Sequence, residues 1–314
     1  MRTGIIGAGI AGLTLATRLE AAGFDVVLHD KSRGVGGRLA TRYTDHTEFD
    51  HGAQFFTART PAFQAFLAPH LETGLVAEWQ PNITTIDPAQ APYTRPWYEP
   101  HYVSAPRMTS LGKQLIAKFD ARLGDAVSEC TFEKGDWQVR TASGEHSSYD
   151  FLVSTAPSVQ TEALLPLQFD GVVFDPCFAL MCELTEMPAW DAAVVKHPDV
   201  SWLARTESRP GRGRPGLVLH STGDFARTHL EDEPEAVRTT LLERLATLTG
   251  LVPSASQLHR WRYARVIEPV GEPCYFNAVT KLGACGDWFI GGRVEDAFTS
   301  ASTLADEMVA KLRP

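Results

Sequence analysis

Thr3-Gly4-Ile5-Ile6-Gly7-Ala8-Gly9-Ile10-Ala11-Gly12 opens this chain, and Asp30 follows eighteen residues after Gly12. A short apolar run leads straight into G-x-G-x-x-G. Residues 13–22 then have helix-forming composition, with Leu15 and Leu19 spaced for one face. Gly23 stops that helix, and Phe24-Asp25-Val26-Val27-Leu28-His29 reads as a buried strand ending in an acid. Strand, glycine turn, helix, strand and acid follow the order of a Rossmann-type dinucleotide-binding unit. Gly7 lets the chain turn tightly out of the strand, Gly9 leaves a pyrophosphate free to approach the backbone, and Gly12 lets helix and strand pack closely. Ile10 and Ala11 begin the helix whose positive end faces the phosphates. Asp30 stands where a carboxylate accepts hydrogen bonds from a ribose. The motif alone fits NAD and FAD equally.

The remaining composition narrows the function classes. The 314 residues suffice for one large domain or two modest ones, and 44% hydrophobic with 21% charged residues is usual for a globular protein. A net charge of −9 argues against a general nucleic-acid binder, which needs a basic surface. The five cysteines, Cys130, Cys177, Cys182, Cys274 and Cys285, are scattered and show no C-x-x-C pair. Free thiols in a reducing compartment are the expectation, with no metal. The glycine motif lies almost at residue 1, so no signal peptide is expected before it, and the apolar stretches are too short and interrupted to span a bilayer. A cytoplasmic protein is expected.

A second glycine-rich stretch, Lys31-Ser32-Arg33-Gly34-Val35-Gly36-Gly37-Arg38, follows directly on Asp30. Its backbone amides, with Lys31, Arg33, Gly37 and Arg38, can make a second approach to a dinucleotide. Phe49-Asp50-His51-Gly52-Ala53-Gln54-Phe55-Phe56 comes next. The series G-x-G-x-x-G, x-x-G-G-R and D-x-G-A-Q resembles the FAD-dependent amine oxidase superfamily. Within it, DKSRGVGGRLATR, FDHGAQFFTAR, SWLAR, HRWRYAR and GACGDWFIGGRVEDAF resemble the bacterial renalase branch. The resemblance runs along most of the chain and is least specific over 80–105. It implies that Val127 meets the adenine side of FAD through its backbone and that Thr155 ends a strand close to the cofactor.

Other segments complete the architecture. Residues 60–75 have helical spacing, whereas Pro81, Pro88, Pro92, Pro96 and Pro100 argue against a regular core element between them. A helix is expected within 104–119, short strands within 126–139, and a buried strand at 151–154. Residues 164–283 alternate or are rich in aromatics, with a helix at 233–248 and a flexible basic loop at 209–216. At the other end, 282–285 reads as a strand, Gly286-Asp287 as a turn and 294–312 as a long helix. A strand, an acid in the turn and a helix N-terminus make a second place for a polyhydroxylated, electron-accepting ligand. The resemblance implies that Asp287 bonds the ribityl chain or a phosphate. It also implies that the amides near Val294 and Glu295 face the flavin pyrimidine edge, where a helix N-terminus stabilises negative charge.

Cofactor-like segments at both ends select FAD over NAD. The expected fold is therefore α/β, with a Rossmann-type FAD-binding domain (1–58, 105–160 and 276–314) and an inserted mixed-sheet α+β substrate domain (59–104 and 161–275). FAD is expected to be non-covalent, because the cysteine motif of covalent flavin amine oxidases is absent near the C-terminal segment. Gln54 and Phe55 adjoin the cofactor segments, and Phe55, Trp202, His220, Trp261, Tyr263 and Trp288 are candidates to line the substrate pocket. No protein residue is singled out as catalytic, since the flavin carries the reactivity. The resemblance implies oxidation of the 2- and 6-dihydro isomers of NAD(P) to NAD(P)+, with electrons passing from flavin to oxygen or another acceptor. A flavin amine oxidase or desaturase for another small molecule, or a flavin-binding sensor, are the alternatives. The sequence leaves the oligomeric state open.

Overall fold

The structure, a computed structural model, describes residues 1–312. Two compact units divide the chain: Met1–Arg38, Leu111–Val173 and the residues from Val266 onwards form the first, and Leu39–Ser110 with Phe174–Arg265 the second.

The first unit is built on a six-stranded sheet. Its strand order is Tyr275–Asn277, Leu282–Ala284, Phe151–Ser154, Arg2–Ile6, Asp25–Asp30 and Asp120–Leu123. Every pairing is parallel except that of Tyr275–Asn277 with Leu282–Ala284. Phe151–Ser154 is buried along its whole length, as a strand covered on both faces must be. Helix Ile10–Ala21 packs against the closing helix Val294–Leu312, which buries Ala297, Ala301, Leu304, Ala305 and Met308. The opening and closing segments of the described chain thus meet in one Rossmann-type layer. A small antiparallel sheet, Val127–Glu133, Asp136–Thr141 and His146–Tyr149, completes the unit.

The second unit carries a seven-stranded mixed sheet in the order Ala255–Glu268, Val173–Glu183, Leu217–Ser221, Val200–Arg205, Ala192–Val195, Ile83–Asp87 and Gln90–Thr94. Helix Pro234–Thr249 buries Val237, Leu241 and Leu245 in a core that includes Phe178, Leu180, Leu203 and Leu219.

Two expectations are corrected. The proline-rich stretch does hold a core strand. Ile83–Asp87 pairs parallel with Ala192–Val195, and Ile83, Thr85 and Ile86 are buried. Pro81 and Pro88 flank that strand, and Pro92 lies in the edge strand, so no interior ladder hydrogen bond is lost. The unit boundaries also differ from those expected. Residues 39–58 and 105–110 belong to the second unit, and 161–173 and 266–275 to the first. Phe49 packs with Met181 and Val218, and Asp50 pairs with Arg212 and accepts from the Met108 amide, which ties both early segments to the second unit. Phe169 packs on Trp288 and Phe289, while Val270 and Gly271 donate to the carbonyls of those same two residues.

Candidate cofactor and substrate sites

The three glycines of the opening motif are required for different reasons. Gly7 has φ +114°, and a Cβ there would lie 2.3 Å from Thr155 Oγ1. A Cβ on Gly12 would lie 2.0 Å from the Gly7 carbonyl oxygen. Protein sterics alone demand both. Gly9 is different. Its backbone (φ −78°, ψ −179°) suits any residue, and no heavy atom lies within 4 Å of the Cβ position. Neither conformation nor packing calls for glycine here, and the space beside it is open to a ligand. Ile10 and Ala11 begin the helix behind it. No side chain caps that helix, and its first turn carries no acid, so its positive end is left for an anion.

Asp30 closes the turn. Its carboxylate accepts from the Ala8 amide at 2.7 Å and from the Ser32 amide at 2.8 Å. Each oxygen keeps further acceptor capacity for a ribose. The second glycine stretch lies alongside. Gly36 donates to the Ala8 carbonyl at 2.9 Å and bridges Gly9, while Gly37 takes φ +55° next to Gly9 Cα. Thr155 donates its hydroxyl to the carbonyls of Ile6 and Gly7 and fixes the start of the turn. Lys31 reaches Gln160 Oε1 at 3.2 Å, and Val127 is half-buried at the start of the small sheet, opposite Thr141.

The C-terminal cofactor segment meets this cradle. Arg38 makes a bidentate pair with Asp287, Nη1 to Oδ2 at 2.7 Å and Nη2 to Oδ1 at 2.5 Å. Asp287 is nearly inaccessible, whereas the Arg38 side chain remains 32% exposed. Gly286 donates its amide to Ser300 Oγ at 3.0 Å, which holds the turn against helix Val294–Leu312. Val294 is half-buried and Glu295 buried in the first turn, where Asp296 accepts from the Arg293 amide. Trp288 is not an exposed pocket wall. It is 1% exposed, donates Nε1 to the Ala156 carbonyl and packs against Phe169 and Phe289, because the turn after Asp287 directs it into the first unit's core.

Gln54, Phe55, Trp202, His220, Trp261 and Tyr263 all lie in the second unit. Gln54 is fully engaged by the protein: Nε2 donates to the carbonyls of Asp50 and Gly52, and Oε1 accepts from Arg209. Phe55 and Trp202 come together with ring centroids 5.8 Å apart. Trp261 and His220 converge instead on the His51 carbonyl, at 3.0 and 3.1 Å. Tyr263 packs edge-on against Phe174, apart from both of these contacts. Burial, then the charges of His259 and Arg42, push the His51 imidazole down to about 3. Burial pushes His220 down to about 4, with the Arg209 charge adding to it, and burial and Arg42 do the same to His259.

Several residues of this region escaped the sequence reading. Trp79, Trp97 and His101 surround Phe55, with centroid separations of 6.3, 5.2 and 4.4 Å. The two tryptophans in or beside a proline-rich stretch were the available signal. The 209–216 segment is not simply a solvated basic loop, because Arg209 and the Arg212 side chain are buried. Nothing in the local sequence marks those two arginines.

A profile described as an NAD(P)-binding Rossmann-like domain matches residues 5–69. Mouse renalase is 24% identical over 305 residues, covering 85% of this chain and 86% of its own. The similarity to mouse renalase runs along most of the chain. Among solved structures, cyclohexylamine oxidase from Brevibacterium oxydans IH-35A superposes with a TM-score of 0.76 at 12% identity, covering 99% of each chain. A CLA-producing fatty acid isomerase from P. acnes gives 0.76 at 12% identity, again over 99% of each. These likenesses show the fold, which hosts both oxidase and isomerase chemistry. The open Gly9 cradle, the uncapped helix and Asp30 fit the dinucleotide half of FAD. Among the described residues no His, Cys, Asp and Glu cluster suits a metal, and no helix is long and apolar enough to cross a membrane.

Proposed function

We propose that this protein is an FAD-dependent oxidoreductase that oxidises the 2- and 6-dihydro isomers of NAD(P) to NAD(P)+. When bound, FAD would supply a hydride acceptor that oxygen or another acceptor reoxidises. In this reading Gly9 and the amides of Ile10 and Ala11 receive the pyrophosphate, and Asp30 the adenosine ribose. The Arg38–Asp287 pair orients the ribityl side. FAD is held without a covalent bond, and the free cysteines suit a cytoplasmic setting.

The observation that carries the substrate reading is the weak basicity of the three imidazoles around Trp261, those of His51, His220 and His259. Burial holds His51, His220 and His259 at about 3 to 4, so all three are neutral, weak bases at neutral pH. Lys196, that unit's one lysine, is engaged with Asp87. An amine arrives protonated and needs a base before it can give up hydride. A dihydropyridine expels hydride with its own nitrogen lone pair and needs none. Flat aromatic side chains also suit a flat ring at low entropic cost.

Mixing the yellow protein with candidate reductants without oxygen tests this. Rapid bleaching by the dihydronicotinamide isomers, and not by ordinary NADH or amines, is expected. Faster bleaching by an amine would replace the reading with an amine oxidase, and no bleaching by any small reductant would leave a flavin-binding sensor.

A further inference from the structure

Two neighbouring arginines of the second unit are buried, and they are treated differently. The Arg212 side chain is 1% exposed and faces two carboxylates, Asp50 Oδ2 at 2.5 Å and Glu48 Oε1 at 3.1 Å. Arg209 is 3% exposed and has no carboxylate within salt-bridge distance among the described residues. It donates Nη1 to the Arg205 carbonyl and Nη2 to Gln54 Oε1, and its guanidinium lies 4.8 Å from the Trp79 ring centroid. Its Nε has no partner. Burial lowers its pKa to about 10, so it remains charged at neutral pH. Asp50 and Glu207 act on this charge only from beyond salt-bridge distance, and a buried cation matched so weakly is costly unless something else completes its hydrogen bonds.

The same aromatic group holds two more unmatched donors. The indole Nε1 atoms of Trp97 and Trp202 are buried without a partner among the described residues. Both rings flank Phe55, at 5.2 and 5.8 Å between centroids, and Phe55 also neighbours the Trp79 on which Arg209 lies. All three leftover groups are donors, and none can accept. A cleft of about 360 Å³ opens beside the group, on the side of Trp79, Trp97 and His101, with Glu78 and Glu99 also in its lining. Flat walls select a flat ring, and unmatched donors select an accepting substituent on it.

We propose that the aromatic group around Phe55 binds a planar ring bearing a carbonyl or carboxylate substituent, and that Arg209 with the indole N–H groups of Trp97 and Trp202 receives that substituent. The inference rests on the dihydronicotinamide reading, since a nicotinamide carboxamide is such a substituent. It adds the residue that sets ring specificity.

Ligand-observed NMR on the FAD-loaded protein tests it with nicotinamide, nicotinate and 3-methylpyridine, which keeps the ring and replaces the acceptor by a methyl group. Nicotinamide and nicotinate should bind about tenfold tighter than 3-methylpyridine, the loss expected when a buried donor goes unmatched. Arg209→Met should erase that preference while the variant still binds FAD. Trp202→Phe, which keeps a ring and deletes one N–H, should weaken nicotinamide severalfold and serves if Arg209→Met does not fold. Equal binding of the three rings by the wild type, or an unchanged preference in both variants, would overturn the proposal. Flavin bleaching by the isomers with an indifferent ring series defeats this inference and leaves the activity standing. A discriminating series without bleaching by the isomers does the reverse.

Discussion

The glycine turn of the first unit and the aromatic group of the second each leave something over, but not the same thing. At the turn what is left over is space. Gly7 and Gly12 are dictated by the chain itself, whereas the gap at Gly9 answers to nothing in the protein. At the aromatic group what is left over is hydrogen-bonding capacity, on Arg209, Trp97 and Trp202. A phosphate is recognised by backbone that must be approached closely, so its site shows up as an omitted Cβ. A substituted ring is recognised by side-chain donors, so its site shows up as unpaired polar atoms.

The largest effect should come from the glycine that the chain needs. Gly12→Val places atoms against the Gly7 carbonyl, where a Cβ already falls at 2.0 Å. Overpacking of this kind costs roughly 1–3 kcal/mol and sometimes more. The variant should lose several degrees of Tm and purify colourless. Next is Asp30→Ala, which removes the acceptor proposed for the FAD ribose and also the acceptor of the Ala8 and Ser32 amides. Charge-assisted bonds of this kind contribute about 1.5–3 kcal/mol, so FAD should bind roughly ten- to a hundredfold more weakly in a titration of the apoprotein. The variant should lose Tm as well as cofactor, because the turn loses its clasp.

Gly9→Ala sharpens the contrast. With no protein atom within 4 Å of the new methyl group, apoprotein stability should be unchanged or slightly raised, while FAD affinity falls. A lower Tm with unaltered FAD binding would show that Gly9 is structural like its neighbours. A pH effect belongs to the second unit. His51 and His220 have folded pKa values of about 3 and 4, below the unfolded value of 6.5. The unfolded chain therefore takes up protons first as pH falls. Their contribution is fully present above 6.5 and is lost from 6.5 down to about 4 for His220 and about 3 for His51, by an order of 1 kcal/mol per imidazole once partial solvent screening is allowed for. His220→Gln should flatten that part of a Tm–pH curve, and an unchanged curve would remove His220 from the account.

The two regions also differ in how far they could be read beforehand. The Rossmann layer was legible because its residues are contiguous: Gly7 to Gly12, Asp30 and 282–312 each carry their meaning within a few positions. The aromatic group was half legible. Phe55 and Trp202 were placed on it, but Trp79, Trp97, His101 and Arg209 arrive from three separate stretches of chain, which no periodicity links. Trp288 misled for a related reason. It adjoins Asp287 in sequence, yet its indole is directed to the Ala156 carbonyl, a direction set by the fold and not by its neighbours. Ile83–Asp87 was missed because the prolines around it mark where a strand ends as readily as where none exists.

The central claim is hydride transfer from a dihydronicotinamide without a protein base. Its most direct test is stopped-flow flavin reduction by the 2- or 6-dihydro isomer, without oxygen, across roughly pH 5.5–8.5, a range in which a working base would titrate. A fast reduction whose rate constant stays flat over that range is predicted, because neither the substrate nor the buried imidazoles change protonation there. A rate that climbs with pH along a single titration, or faster reduction by an amine or by ordinary NADH, would contradict it.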